Sequence, residues 1–130
     1  MTEEEIRLLD GPALAQLAYE YGVAPCSAVR DSNGTVWVEE GAYGQWVAWQ
    51  PWEVLAQAHA LFRQLRARRW HTFQGYDETY QFGHATAFKP RVSTTRECQW
   101  QLATGERGEA YALTLCTVLA VASEREKGDR

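Results

Sequence analysis

The pattern of apolar positions is clearest near the end of the chain, where one segment is apolar on almost every side. On a helical wheel, Glu109–Ala122 (EAYALTLCTVLAVA) shows only a weakly polar stripe that includes Thr114 and Thr117. A helix of this kind has to be buried on more than one side. The segment is also well short of the roughly 20 apolar residues that a membrane-spanning helix needs. We therefore predict a core helix at Gly108–Glu124, packed on a sheet and against a second surface.

Two earlier segments have a single apolar face. Thr2–Tyr21 begins with a capping-box pattern, Thr2 followed by Glu5, and is interrupted at Asp10-Gly11-Pro12. Pro51 opens the second segment, which extends to about Arg69. Its apolar side chains fall within a wedge of roughly 120° on a helical wheel, and they are Val54, Leu55, Ala58, Leu61, Phe62 and Leu65. We predict one helix in each segment.

Strand-like alternation occupies the regions between the predicted helices. The Asn33-Gly34 step is typical of a hairpin turn and precedes Val36-Trp37-Val38, and Gln45–Trp49 is a further short strand. Three longer runs predict an antiparallel meander: Trp70–Tyr76, Thr79–Phe88 and Thr95–Ala103. The element order predicts an α+β fold, specifically a three-layer α/β/α sandwich whose mainly antiparallel sheet is flanked by helices. We expect one domain over residues 1–124 and a solvated tail over 125–130.

The first hairpin of the meander contains the pattern closest to a catalytic or metal site. A turn centred on Asp77-Glu78 places His71 opposite His84 and Phe73 opposite Phe82 on one sheet face. Paired histidines are compatible with hydrolysis or with zinc, but a zinc site needs three or four ligands and the sequence supplies no complete set. We therefore assign no catalytic residue, metal or cofactor. The alternative interpretation is a pair of half-buried histidines that fill a sheet face.

Three stretches of the chain resemble one family of small phage proteins, the "phage ABA sandwich" family. They are MTEEEIRLLDGPALAQLAYEYGV at the start, PWEVLAQAHALFRQLRARRW in the middle and GEAYALTLCTVLAVA near the end. The chain departs from the family pattern at Glu39–Gln50, which carries additional tryptophans. The resemblance implies the sandwich fold and an association with phage. It implies no reaction, because the family is largely uncharacterised.

Charge and cysteine content exclude several classes of protein. With 17 acidic and 13 basic residues, the chain has a net charge of −4, which disfavours broad nucleic-acid binding. Its three cysteines are widely spaced and form no CxxC pair, so neither a disulfide framework nor a zinc knuckle is indicated. The acidic amphipathic N-terminus is unlike a signal peptide. We expect a cytoplasmic protein with no membrane association, in the host cytoplasm if phage-encoded.

Aromatic and arginine residues form the strongest binding signal. Trp52, His59 and Arg66 recur every seven residues along one flank of the middle helix, a row that suits stacking on a nucleotide-like ligand. Adding neighbouring aromatic, histidine and arginine positions gives a predicted ligand site of Trp46, Trp49, Trp52, His59, Arg66, His71, His84, Arg91 and Arg96. The alternative is that the row is only the border of the apolar face, with Arg66 lying over its neighbours.

These observations lead to three hypotheses of function and one of assembly. The first is a non-catalytic phage accessory protein that binds, and so sequesters, a small nucleotide-type signal of host defence. The second is an interaction module for a host or phage protein, and the third is a small nucleotide hydrolase that uses His71 and His84. We also predict a homodimer or higher homo-oligomer, because one small sheet covers only one side of Glu109–Ala122 and the rest of that helix needs a second surface.

Overall fold

A computed structural model describes residues 1–40, 42–77, 79, 82–89, 94–101 and 108–128. Within these residues it contains four α-helices and six β-strands. The helices are α1 (Glu3–Arg7), α2 (Gly11–Glu20), α3 (Leu55–Ala67) and α4 (Glu109–Gly128). The strands are β1 (Val29–Arg30), β2 (Val36–Glu40), β3 (Gln45–Ala48), β4 (His71–Asp77), β5 (Phe82–Lys89) and β6 (Thr94–Gln101). None of the helices in this part of the chain has the length and hydropathy needed to cross a membrane.

The first predicted helix is two helices with separate N-caps. Thr2 and Glu5 form the predicted capping box, in which the Glu5 N–H donates to Thr2 Oγ1 and the Thr2 N–H donates to Glu5 Oε1, both at 3.2 Å. Asp10 then caps α2, with Oδ1 accepting from the Ala13 N–H at 2.9 Å. Pro12, in the first turn of α2, lacks an N–H that would in any case have no intrahelical partner. The interruption at Asp10–Pro12 is therefore a change of direction between helices.

The C-terminal helix is the centre of the core, as the sequence predicts. Every residue from Ala110 to Val121 is buried. One side of α4 packs on β5 and β6, while α1, α2 and α3 cover its other side. The helix also continues to Gly128 rather than ending at Glu124. The sequence-based argument for a dimer was that apolar surface on this helix would be left uncovered. That argument is wrong, because Leu115 and Leu119 are already buried within one chain.

The predicted α+β class is confirmed, with all strand pairs antiparallel. The strands form two sheets of three, ordered β1-β2-β3 and β4-β5-β6. Small residues on one face of β5, Gly83, Ala85 and Ala87, are buried under α4. On the opposite face Phe73 is 56% exposed. The sequence predicts helices on both faces of this sheet. In the described residues the helices lie on the α4 side, since α4 buries its second apolar side under α1, α2 and α3.

The register of the β4–β5 hairpin differs from the predicted one. His71 pairs with Phe88, and His84 pairs with Gly75; the predicted pairings of His71 with His84 and of Phe73 with Phe82 are wrong. The observed register places His84 across from Gly75, where a Cβ would lie 2.5 Å from Nε2 of His84. The absence of a side chain at Gly75 therefore suits the imidazole in its observed position. Asp77, expected in the turn, is instead the last paired residue of β4.

The middle helix begins later than predicted and buries a polar residue. Helix α3 starts at Leu55, because Pro51–Glu53 form a turn closed by the Gln50 carbonyl, which accepts from the N–H groups of Glu53 and Val54. Gln57, expected outside the apolar wedge, is only 8% exposed. Its side chain accepts from the Gln50 N–H at 2.6 Å and donates to Glu40 and to the Ala48 carbonyl. These bonds connect α3 to β2 and β3, so burial of this glutamine is compensated.

Candidate functional site

The predicted tryptophan pocket is not assembled. Trp49 is 3% exposed and belongs to the core, while Trp46 is 51% exposed on β3. The two residues are three positions apart on extended backbone, so their side chains point to opposite faces. Trp52 packs instead against the start of α2, where a Cβ added at Gly11 would lie 2.2 Å from its ring. These three residues therefore do not share one ligand site.

The row of Trp52, His59 and Arg66 is also not formed. Trp52 precedes the first residue of α3, so it does not continue the flank on which the other two lie. His59 is half-buried on the helix, and the exposed Arg66 donates from Nε to Thr72 Oγ1 at 3.3 Å. Arg66 thus connects α3 to β4 rather than lying over Trp52 and His59. The seven-residue spacing therefore does not bring these three side chains into one row on α3.

The two histidines on the hairpin share a face but are separated along it. His71 is exposed, and it lies four residues before Gly75, the partner of His84, on β4. The two histidines are therefore separated by roughly 13 Å along the strand. The Nδ1 atom of His84 is enclosed and has no hydrogen-bond partner among the described residues. Within the same residues, no group of three His, Cys, Asp or Glu side chains could hold a metal ion. Arg91 lies outside the described residues.

A groove of about 650 Å³ is instead present around Arg96, the remaining predicted residue. It lies between α1, the end of α2, β6 and the C-terminal half of α4. Its floor is apolar, with Ile6 and Leu119 each 1% exposed. Polar side chains surround that floor, and they are Thr2, Glu3, Tyr21, Arg96, Ser123 and Arg125.

Arg96 is held at the groove by several weak contacts. Its Nη1 donates to the Thr95 carbonyl at 2.8 Å, and its Nη2 donates to Ser123 Oγ at 3.4 Å. Its Nε lies 3.8 Å from Glu3 Oε2, a long ion pair. Glu3 is also paired with Arg7 at 2.9 Å, so one carboxylate is shared by two guanidinium groups. The charge of Arg96 is therefore only partly compensated within the protein.

A second arginine lies over an aromatic ring at the same groove. Tyr21 is the C-cap residue of α2, and the Arg125 guanidinium carbon lies 4.7 Å from the centroid of its ring. Such a cation–π contact orients the planar guanidinium with its edge and outer face available. The lining thus contains two arginines and one glutamate, so an anion is attracted to this groove.

Sequence reasoning included Arg96 but missed Tyr21, Ser123 and Arg125. Arg125 falls in residues 125–130, which the sequence interpretation assigned to a solvated tail, and Ser123 lies near the end of the predicted helix. One available signal was helical spacing, because Ser123 lies four residues after Leu119 and so continues the same face of α4. No local pattern connects Tyr21 to the other end of the chain.

No protein-family model, curated protein or solved structure matches this chain. The evidence for the candidate site therefore comes from the geometry of the groove.

Proposed function

We propose that this protein is a non-catalytic binding protein that holds a small anionic ligand of the nucleotide type in the groove around Arg96 and Arg125. The observation that carries the proposal is that two arginines, Arg96 from β6 and Arg125 from α4, line the same groove, and that Arg125 lies over the ring of Tyr21. The groove volume of about 650 Å³ lies within the range of roughly 300–1,000 Å³ found for small-molecule sites.

The chemistry of the lining supports this class of ligand. A guanidinium group presents paired N–H donors that match the oxygens of a phosphate, and it is more weakly hydrated than an ammonium group. The outer face of the Arg125–Tyr21 stack offers a planar surface for a nucleobase. Ile6 and Leu119 form an apolar floor on which the less polar part of the ligand would rest.

The biological part of the proposal is sequestration of a nucleotide signal of host defence by a phage accessory protein in the host cytoplasm. Its phage origin rests on the resemblance of three stretches of sequence to the phage ABA sandwich family. Sequestration follows from binding without turnover: a protein that holds a signal lowers its free concentration.

A thermal-shift screen followed by calorimetry tests the proposal. We expect ATP, GMP or a cyclic dinucleotide to raise the melting temperature more than inorganic phosphate does, because a ligand of the folded state stabilises it. R125A should weaken the affinity about tenfold or more, since a hydrogen bond to a charged group contributes about 1.5–3 kcal/mol. R63A is the matched control, because Arg63 is exposed on α3 and donates a hydrogen bond to the His59 carbonyl of its own helix.

Two outcomes would overturn this proposal. One is the absence of any shift with the folded protein, and the other is equal loss of affinity in R125A and R63A. Chromatography of the recovered ligand separates binding from catalysis. An intact nucleotide supports sequestration, and a converted one favours the hydrolase alternative.

A second candidate function, an interaction module, is favoured by exposed aromatic residues on the first sheet. Val29, Trp37 and Trp46 lie on one face of β1-β2-β3, with Trp37 36% exposed. The Trp37 indole N–H donates to Asp31 Oδ2 at 2.9 Å, and this bond lowers the pKa of the Asp31 carboxyl. An indole fixed in this way is a pre-organised contact for another protein. A negative nucleotide screen would put this function first.

A further inference from the structure

The edge of the second sheet at β4 is long, and the strand contains no lysine, proline or bulge. Strand β4 has seven residues, HTFQGYD, all paired with β5 on one side. It is an edge strand, and no described strand pairs with its other side. Such an edge presents a row of N–H and C=O groups without strand partners, which proteins usually blunt with Lys, Pro, a bulge or a short strand. Strand β4 contains no Lys, Pro or bulge, and Phe73 and Tyr76 are 56% and 46% exposed.

The other sheet edges are better protected. Strand β1 has two residues and β3 has four. The Ala48 carbonyl of β3 also accepts a hydrogen bond from Gln57. Strand β6 carries Arg96, a charged residue of the kind that disfavours edge pairing. The β4 edge is thus the one most suited to pairing with another strand.

We propose that two copies of this chain pair antiparallel through β4 across a two-fold axis, forming one sheet of six strands, three from each copy. Only one register pairs all seven residues of β4 with a second β4, and it places Gln74 opposite Gln74. In that register Phe73 faces Gly75 of the other copy, so the residue directly opposite its exposed ring has no side chain. Thr72 faces Tyr76 on the side of the helices.

Charge at the two ends of β4 favours a second copy as the partner. The strand is preceded by a basic run, in which Arg66 and Arg69 are exposed, and its last residue is Asp77. An antiparallel two-fold pair places the basic end of each strand beside the acidic end of the other. This complementarity adds to the main-chain hydrogen bonds of the pair. The groove around Arg96 lies at the opposite edge of the sheet, so the assembly leaves it open and is independent of the proposed function.

Disulfide cross-linking tests both the dimer and its register. In a C26S background, which removes an exposed native thiol, we expect Q74C to form a covalent dimer under mild oxidation. Directly opposed residues of antiparallel strands have Cα atoms about 4.5–5.5 Å apart, within the disulfide range of about 4.4–6.8 Å. T72C is the matched control, on the same face of the same strand. In the proposed register the two cysteines at position 72 would be four positions apart along the strands, roughly 13 Å, and should not cross-link.

Light scattering of the full chain provides the second measurement. We expect a concentration-dependent dimer, and F73K should weaken dimerisation at least tenfold because it introduces an edge lysine. W46K, a lysine at an equally exposed tryptophan on the other sheet, should leave the dimer unchanged. A mass of one chain at about 100 μM would overturn the proposal. The alternative partner of the β4 edge would then be a strand of another protein. Equal cross-linking of Q74C and T72C would overturn it as well.

Discussion

At the scale of single residues, the close approach of Trp52 to Gly11 links the loop before α3 to the start of α2. A Cβ at position 11 would lie 2.2 Å from Cγ and Cδ1 of the indole, much closer than a van der Waals contact. G11A should therefore force the ring to move and lower the free energy of unfolding by about 1–3 kcal/mol. Urea denaturation measures the change.

The control for this prediction is G108A. A Cβ at Gly108 meets nothing within 4 Å, so the substitution should change stability by less than about 0.5 kcal/mol. Equal stability of G11A and the parent would show that Trp52 does not hold this position in solution.

Residue type alone did not predict which aromatic side chains are available to a ligand. Six tryptophans are present, yet Trp49 is in the core and Trp46 is exposed, although both lie in the same short segment. Alternation along extended backbone separates their faces, but only packing decides which face meets the core. The predicted ligand site grouped Trp46 and Trp49 because they are neighbours in sequence, and the structure places one in the core and the other at the surface.

At the scale of elements, Glu124 connects the end of α4 to three other parts of the fold. Its carboxylate accepts from Trp70 Nε1 at 2.5 Å, Arg68 Nη1 at 2.9 Å and Lys89 Nζ at 3.1 Å. Burial raises the pKa of the Glu124 carboxyl, and the hydrogen bonds from Trp70, Lys89 and Arg68 outweigh it, so the pKa lies below its ordinary value of 4.5. The contacts join α4 to the end of α3, the start of β4 and the end of β5.

This lowered pKa predicts a pH dependence of stability. A carboxyl whose pKa is lower in the folded state stabilises the fold above its unfolded pKa, and that contribution is lost as the pH falls through the folded pKa. E124Q should lower the free energy of unfolding at pH 7 by about 1–3 kcal/mol, since it removes the charge from hydrogen-bonded partners. The difference between E124Q and the parent should shrink below pH 4.5, the ordinary value for this carboxyl.

Urea denaturation from pH 3 to pH 7 measures the effect. E20Q is the matched control, because Glu20 has a side chain 54% exposed in an ion pair with Arg30, and surface pairs contribute about 0–1 kcal/mol. A difference between E124Q and the parent that stays constant across this range would contradict the assignment.

At the scale of the whole molecule, α4 contacts both halves of the fold, and we expect the chain to unfold as one cooperative unit. It lies between the β4-β5-β6 sheet and the other three helices, so neither half retains a core without it. L113A, which truncates a fully buried side chain at the middle of this helix, should lower the free energy of unfolding by about 2–5 kcal/mol. Tryptophan fluorescence and far-ultraviolet circular dichroism should report the same transition.

L8A serves as the comparison, because Leu8 is 81% exposed and its loss should change stability by less than about 0.5 kcal/mol. Separate transitions for the two spectroscopic probes would show that the sheet and the helices unfold independently.

The sequence by itself determined the features that depend on near neighbours. The capping box of Thr2 and Glu5, the break at Asp10–Pro12 and the burial of α4 on two sides were all predicted from spacing. So was the strand that follows Asn33-Gly34. Helix caps are made by residues three positions apart, and helical or strand periodicity shows directly which side chains share a face. These features therefore leave a signal in a short window of sequence.

Tertiary structure alone decided the register of β4 and β5 and the composition of the groove. Shifting the hairpin changes the partner of each residue, and the contact between His84 and Gly75, which favours the observed pairing, is invisible until the strands are side by side. The groove joins Tyr21, Arg96 and Arg125, which are far apart in sequence. Their proximity follows from the way α1 and α2 close over α4, because periodicity specifies which face of an element is buried but not which distant element covers it.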